Sequence, residues 1–188
     1  MALPFRVDGT EGDAVIASGR VMLVGESNPY GDDPDMALYP DPAGCSGHRL
    51  WRVLGVPRAC YLSFTRENLC RGDFRMPDAC GRAQILKSRV KSEHSSDADV
   101  EDRHSLVVLC GIRVKQAFGL HDLATWGHMM DVDGVTWLSL PHPSGRSRAW
   151  GVGMWWADGS VARLRETLHA IAPGVPWGAT PSPSEASL

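Results

Sequence analysis

The sequence lacks the segments that would direct a protein into or across a membrane. It contains no run of eighteen consecutive apolar residues, which a membrane-spanning helix needs. Residues 1–13 are acidic and interrupted by proline, so they lack the basic start and apolar stretch of a secretory signal. We therefore expect a soluble, cytoplasmic protein with no membrane partner.

Closely spaced cysteine pairs are also missing. The cysteines are odd in number, and none has the CxxC spacing typical of zinc and redox sites. This pattern favours free, mostly buried thiols, with an iron–sulfur cluster as the alternative. We accordingly expect neither a metal nor another cofactor. The five residues are Cys45, Cys60, Cys70, Cys80 and Cys110.

An excess of positive charge is the third absence. The formal net charge is -3 and the sequence pI is about 6.1, which argues against a protein that holds nucleic acid through bulk positive charge. Any contact with DNA must be local.

The 188 residues fit one compact domain. We place it at 1–178, followed by a tail at 179–188 that lacks core-forming residues and is expected to be disordered.

What is present is an alternation of apolar runs and helical patterns. Apolar runs at 21–24, 59–64, 106–110 and 135–140 predict strands buried on both faces. Helical spacing appears at 48–54, 83–90, 112–118 and 160–171, the last with Ser160 as a plausible N-cap and Pro173 as the stop. We predict a single-domain, three-layer α/β/α fold around a central four-stranded, mainly parallel sheet.

Ligands of such sheets bind beyond the carboxyl ends of the strands, so catalytic and binding residues are expected in the segments that follow the predicted strands. After the first strand, glycine and proline predict a tight turn that carries Asn28 at its tip. A loop at 65–70 after the second strand contains Asn68.

The segment after the fourth strand is the most specific. His142 lies between two prolines, which present its imidazole rigidly. Ser144 and Gly145 offer a hydroxyl and unhindered backbone to a phosphate, while Arg146 and Arg148 place positive charge locally in an acidic chain.

These residues carry a resemblance to a known family. GESNPYG and PHPSGRSR resemble the two signature motifs of the uracil-DNA glycosylase superfamily. The segment 39–51 is similar to the region after motif one in mismatch-specific members, and Asn68-Leu69-Cys70 to the motif with the base-reading asparagine in single-strand-selective members. VVLCGIRVKQAFG resembles the strand–Gly–helix segment before the histidine motif. The resemblance spans roughly 21–150 and implies the same α/β fold.

The resemblance implies a role for each motif in breaking the bond between a base and its sugar. Asn28 would position the attacking water, although a neutral amide is no strong base, and His142 would donate a hydrogen bond to a carbonyl oxygen of the departing base. Asn68 would read the edge of the base and Tyr39 would stack on it, with a plain core aromatic as the other interpretation of Tyr39.

The same resemblance assigns the remaining site residues. Gly25, Glu26 and Tyr30 would complete the base-binding pocket, where the Tyr30 ring would exclude substituents at the 5-position of the base. Arg146 would occupy the gap that the flipped base leaves, in place of the aliphatic wedge of the best-known branch. DNA contacts are expected from four residues of the histidine loop, namely Ser144, Gly145, Arg146 and Arg148.

We therefore predict a monomeric, monofunctional DNA glycosylase that flips a damaged or modified pyrimidine out of DNA and hydrolyses its N-glycosidic bond. Removal of uracil or another deaminated base, in base-excision repair, is the main expectation. The first loop is one residue longer than the familiar pattern, and Asn28 with Tyr30 mixes features of two branches. Hydroxymethylated or glucosylated cytosine of phage DNA, removed in anti-phage defence, is thus an alternative substrate.

Two other classes remain open. A catalytically inactive DNA-binding module could keep the same fold, because a fold does not guarantee activity. A hydrolase with Ser144 or Cys70 as nucleophile beside His142 is the other class, although no nucleophile-elbow pattern is present.

Overall fold

The computed structural model describes residues 21–28, 33–95, 103–121, 129–144 and 160–179. These ranges form an α/β structure around one mixed sheet, whose strand order is β2-β1-β3-β5-β4. Neighbouring strands are parallel except for β4 and β5. The strands are β1 (Val21–Asn28), β2 (Thr65–Arg71), β3 (Leu106–Cys110), β4 (Met129–Val132) and β5 (Val135–Leu140).

The prediction of four strands was wrong, because the described ranges contain five. The additional strand β4 forms an antiparallel hairpin with β5 across Asp133 and Gly134, whose φ angles are 54° and 80°. Positive φ at both central residues is what a two-residue hairpin turn requires, and Asp-Gly is a strong sequence signal for it. The short, half-exposed strand before that turn has no long apolar run and was therefore missed.

The second predicted strand was also wrong. Residues 59–64 lie mostly in helix α2 (Arg58–Ser63), while the polar segment predicted as the following loop forms β2. A short apolar run does not separate a strand from a buried helix. The polar β2 is stabilised by partners: Glu67 pairs with Arg82 at 2.8 Å and Arg89 at 3.0 Å, and Arg66 donates to the Ala37 carbonyl oxygen at 3.1 Å.

The other helical predictions agree with the structure. The pattern at 83–90 lies inside a longer helix, and Ser160 is the first helical residue rather than the cap before it. No helix in the described ranges is long and apolar enough to span a membrane. Besides α2 and a short 3-10 helix, Pro34–Met36, the helices are α1 (Ser46–Leu54), α3 (Met76–Ser95), α4 (Ile112–Ala117) and α5 (Ser160–Ile171).

The two faces of the sheet are covered by different helices. Because side chains alternate along a strand, Val21 and Leu23 face one core while Met22 and Val24 face the other. The first core includes residues of α1, α2 and α5, and the second includes residues of α3 and α4. This arrangement is compatible with the predicted three layers. It leaves the carboxyl ends of β1, β3 and β5 at one edge of the sheet.

Candidate functional site

A cavity of about 570 Å³ opens at that edge. Its volume is within the roughly 300–1,000 Å³ of small-molecule clefts. Asn28, Asn68 and His142, which come from three separate segments, all line this cavity, as does Tyr39. The other lining residues are Glu26, Ser27, Met36, Leu38, Asp41, Gly44, Cys45, Ser46, Gly47 and Ser144.

Asn68 lies within a strand rather than at a loop tip, which corrects the predicted placement. The predicted turn at Gly25 is likewise part of a strand, because β1 continues to Asn28. Gly25 is the register partner of Asn68, and a Cβ at Gly25 would lie 2.4 Å from the Asn68 side-chain oxygen. The missing side chain of Gly25 thus provides the space for the Asn68 amide. Within the described ranges the Asn68 side chain forms no hydrogen bond, so its donor and acceptor are available to a ligand.

Asn28 is the last residue of β1 and is only 6% exposed. Its side-chain nitrogen Nδ2 donates to the Asp33 carbonyl oxygen at 3.4 Å, which assigns the orientation of the amide. Asn28 also lines a smaller neighbouring cavity of about 130 Å³, together with Asn68. The two amides therefore border the same region from adjacent strands.

His142 has a defined tautomer. The Ser144 backbone N–H donates to His142 Nδ1 at 3.1 Å, so Nδ1 is an acceptor and the ring proton is on Nε2. Burial lowers the pKa of His142 below its usual value, and Arg113 acts in the same direction while Glu26 opposes it. At neutral pH the His142 imidazole is therefore neutral and carries an Nε2–H donor.

Glu26 and His142 approach one another beside Gly111. A Cβ at Gly111 would lie 2.9 Å from Glu26 Oε1 and 3.2 Å from His142 Cδ2, and the φ of +119° also requires glycine there. Glu26 is ion-paired only loosely, with its Oε2 3.7 Å from Arg113 Nη1. Its side chain is 17% exposed, and no hydrogen bond reaches its carboxylate from the described part of the chain.

Tyr39 is held by an anchored segment. The Leu38 carbonyl oxygen accepts a 2.8 Å hydrogen bond from the Tyr61 hydroxyl, and the Tyr39 carbonyl oxygen accepts one from Cys45 Sγ at 3.2 Å. Burial raises the pKa of Tyr61, which keeps its hydroxyl protonated as the donor. Gly47 packs so closely that its Cβ would lie 2.1 Å from the Tyr39 carbonyl oxygen. The start of α1 therefore fixes this wall of the cavity.

Four of the predicted site residues lie outside the described residues, namely Tyr30, Gly145, Arg146 and Arg148. The predicted disordered tail also lies outside them, apart from Ala179. Ser144 is described and lines the cavity. Sequence analysis gave no site role to Gly111 or to the start of α1, although both lie in segments that carry the resemblance. A glycine directly after the buried strand β3 was the available signal for the first of these.

The geometry gives little support to a hydrolase with Cys70 or Ser144 as the nucleophile. Cys70 is 6% exposed and lines the smaller cavity, whereas His142 lines the larger one. Ser144 contacts the His142 ring through its backbone N–H. All five cysteines are free. In the described ranges, no group of three or more His, Cys, Asp or Glu side chains is placed to hold a metal ion.

A second histidine cluster lies near the opposite edge of the sheet. His104 Nδ1 is 2.6 Å from Glu93 Oε2, and His104 Nε2 is 3.0 Å from Thr65 Oγ1. The cluster connects the end of α3 to the start of β2, and His104 is only 6% exposed. Through these contacts His104 links α3, β2 and the segment before β3.

Comparison with protein-family models, curated proteins and solved structures found no match to this chain.

Proposed function

We propose that this protein is a monofunctional DNA glycosylase, which hydrolyses the bond between a flipped pyrimidine and its sugar and leaves an abasic site. The observation that carries the proposal is that Asn28, Asn68 and His142 line one cavity. They belong to three of the segments that resemble motifs of the uracil-DNA glycosylase superfamily, and they are far apart in sequence.

The chemistry of the three side chains fits the reaction. Asn28 orients a water molecule, and Asn68 offers one donor and one acceptor to the edge of a pyrimidine. His142 donates through Nε2–H to a carbonyl oxygen of the base, where negative charge develops as the bond breaks. A preorganised donor of this kind lowers a barrier by roughly 3–4 kcal/mol. A neutral imidazole is sufficient for it.

Contact with DNA is proposed for the histidine loop. Ser144, Gly145, Arg146 and Arg148 supply hydrogen-bond donors and positive charge, which suit phosphate oxygens. Arg146 would stack in the gap that the flipped base leaves. Because the net charge of the chain is negative, binding depends on these local cations and weakens as salt is added.

Uracil or another deaminated pyrimidine is the first substrate we propose. The size of the cavity favours a second candidate, a cytosine that carries a hydroxymethyl or glucosyl group, because 570 Å³ leaves room for substituents on the base. This second substrate would assign the protein to defence against phage DNA rather than to repair.

The test is a panel of oligonucleotides and phage DNAs, each with one altered base, assayed for alkali-labile abasic sites. We expect the wild type to release one class of pyrimidine. The His142→Asn variant should still bind the same DNA, but its rate of base release should be about 10²–10³-fold lower. A wild type that binds DNA but releases no base from any member of the panel would favour the inactive module instead. Loss of activity after iodoacetamide treatment of a Cys45→Ala variant, which lacks the labelled thiol in the cavity wall, would instead support the cysteine nucleophile.

A further inference from the structure

We propose that Glu26 is the proton acceptor for the attacking water, a role that the neutral Asn28 amide is unable to fill. This inference rests on the proposed function and adds a catalytic residue to it. Of the described residues that line the large cavity, Glu26 and Asp41 are the carboxylates. Asp41 forms an ion pair with Arg58, which hydrogen-bonds both of its oxygens.

Glu26 is placed to share a water with Asn28. Residues two apart on a strand point to the same face and are about 6–7 Å apart along it. Glu26 and Asn28 have this spacing in β1, and both line the cavity. The proposal places one water between the Glu26 carboxylate and the Asn28 amide.

The electrostatic surroundings of Glu26 suit a base. The Arg113 side chain is 56% exposed, and its Nη1 is 3.7 Å from Glu26 Oε2, too far for a close hydrogen bond to the carboxylate. Among the described residues, none donates a hydrogen bond to Glu26, although its side chain is largely buried. A buried carboxylate without donors gains from a water that donates to it.

The proposed step balances in atoms and charge. The water oxygen forms a bond to the sugar carbon C1′ while the C1′–base bond breaks. The electron pair of the broken C1′–base bond leaves with the base. The water proton passes to the Glu26 carboxylate. Negative charge thus disappears from Glu26 while it develops on the base beside His142 Nε2–H. The base finally takes up a proton, and Glu26 returns its own to solvent.

The experiment uses the full chain and the oligonucleotide from the panel above that the wild type cleaves fastest, under single-turnover conditions from acidic to neutral pH. Glu26→Gln is nearly isosteric but accepts no proton. We expect its maximal rate to fall about 10²–10⁴-fold, with DNA binding nearly unchanged. The acidic limb of its pH profile should flatten, because the proposed proton acceptor is gone.

Two further variants separate catalysis from folding. Asp41→Asn, the matched control, should keep the acidic limb. Glu26→Gln combined with Asn28→Asp returns a carboxylate to the same face and should recover part of the lost rate. If Glu26→Gln fails to fold in a thermal melt, Glu26→Asp replaces it and should keep the limb at a reduced rate.

The outcomes distinguish this inference from the proposed function. An active wild type together with a Glu26→Gln variant that keeps the wild-type rate or acidic limb overturns the role of Glu26 alone. A Glu26→Asp variant without an acidic limb also overturns it. A wild type that releases no base from any member of the panel overturns both proposals.

Discussion

Gly25→Ala is a sharp test of how the cavity is built, because it perturbs Asn68 without changing it. The new Cβ would lie 2.4 Å from the Asn68 side-chain oxygen, about 1 Å short of ordinary van der Waals contact. Gly25 has no positive φ, so alanine meets no backbone strain there. The cheapest adjustment is for the Asn68 amide to move away by about the missing distance.

The expected effect is large on activity and modest on stability. A misplacement of about 1 Å in a catalytic site costs up to roughly 10²-fold in rate. Leu38 would also be crowded, with its Cγ and Cδ2 3.2 Å from the new Cβ. Such overpacking costs about 1–3 kcal/mol. For a chain of this length that lowers Tm by roughly 2–12 °C and leaves the protein folded in the assay.

The assay is single-turnover base release by Gly25→Ala beside Asn68→Ala, with melting curves for both. Gly81→Ala is the control, since Gly81 lies in α3 and its Cβ would meet nothing within 4 Å. That control should gain roughly 0.5–1 kcal/mol of stability and keep its activity. If Asn68→Ala is impaired while Gly25→Ala cleaves at the wild-type rate, the proposed packing of Asn68 against Gly25 is refuted.

Three other predictions follow from the same structure. Gly47→Ala should destabilise the protein by several kcal/mol in urea denaturation, because the new Cβ would lie 2.1 Å from the Tyr39 carbonyl oxygen and backbone atoms move less easily than side chains. A change in the free energy of unfolding below about 0.5 kcal/mol, which is typical of surface sites, would contradict this prediction. Burial lowers the pKa of His142, so at mildly acidic pH the unfolded chain binds a proton that the folded chain does not. The free energy of unfolding should therefore fall as the pH drops below about 6.5, and it should fall less steeply in His142→Gln. An unchanged slope in that variant would assign the acid sensitivity to other groups. Burial raises the pKa of the Cys60 thiol to about 11, so iodoacetamide at mildly alkaline pH should label half-buried Cys45 well before Cys60 in the native protein. Mass spectrometry that shows the reverse order of labelling would contradict the burial of Cys60.

The fold was predictable where the local pattern had one interpretation. The runs at 106–110 and 135–140 are buried strands, and the spacing at 112–118 and 160–171 matches helices α4 and α5. The apolar run at 59–64 was predicted as a strand but lies mostly in helix α2, because an apolar run this short does not distinguish a strand from a buried helix. In the polar strand β2, Glu67 is paired with Arg82 and Arg89 on α3, which follow it by 15 and 22 residues.

For the candidate site, the motifs and their order along the chain were enough to single out Asn28, Asn68 and His142, but the predicted place of Asn68 in a loop after a strand was wrong, because Asn68 lies within β2. Their placement around one cavity, the approach of Glu26 to His142 beside Gly111, and the space that Gly25 leaves for Asn68 were decided by tertiary structure alone. The physical reason is that turn and strand preferences act between neighbours in sequence. The distances around the cavity depend instead on the parallel register of β1, β2, β3 and β5, which forms only when the whole sheet packs between its helices.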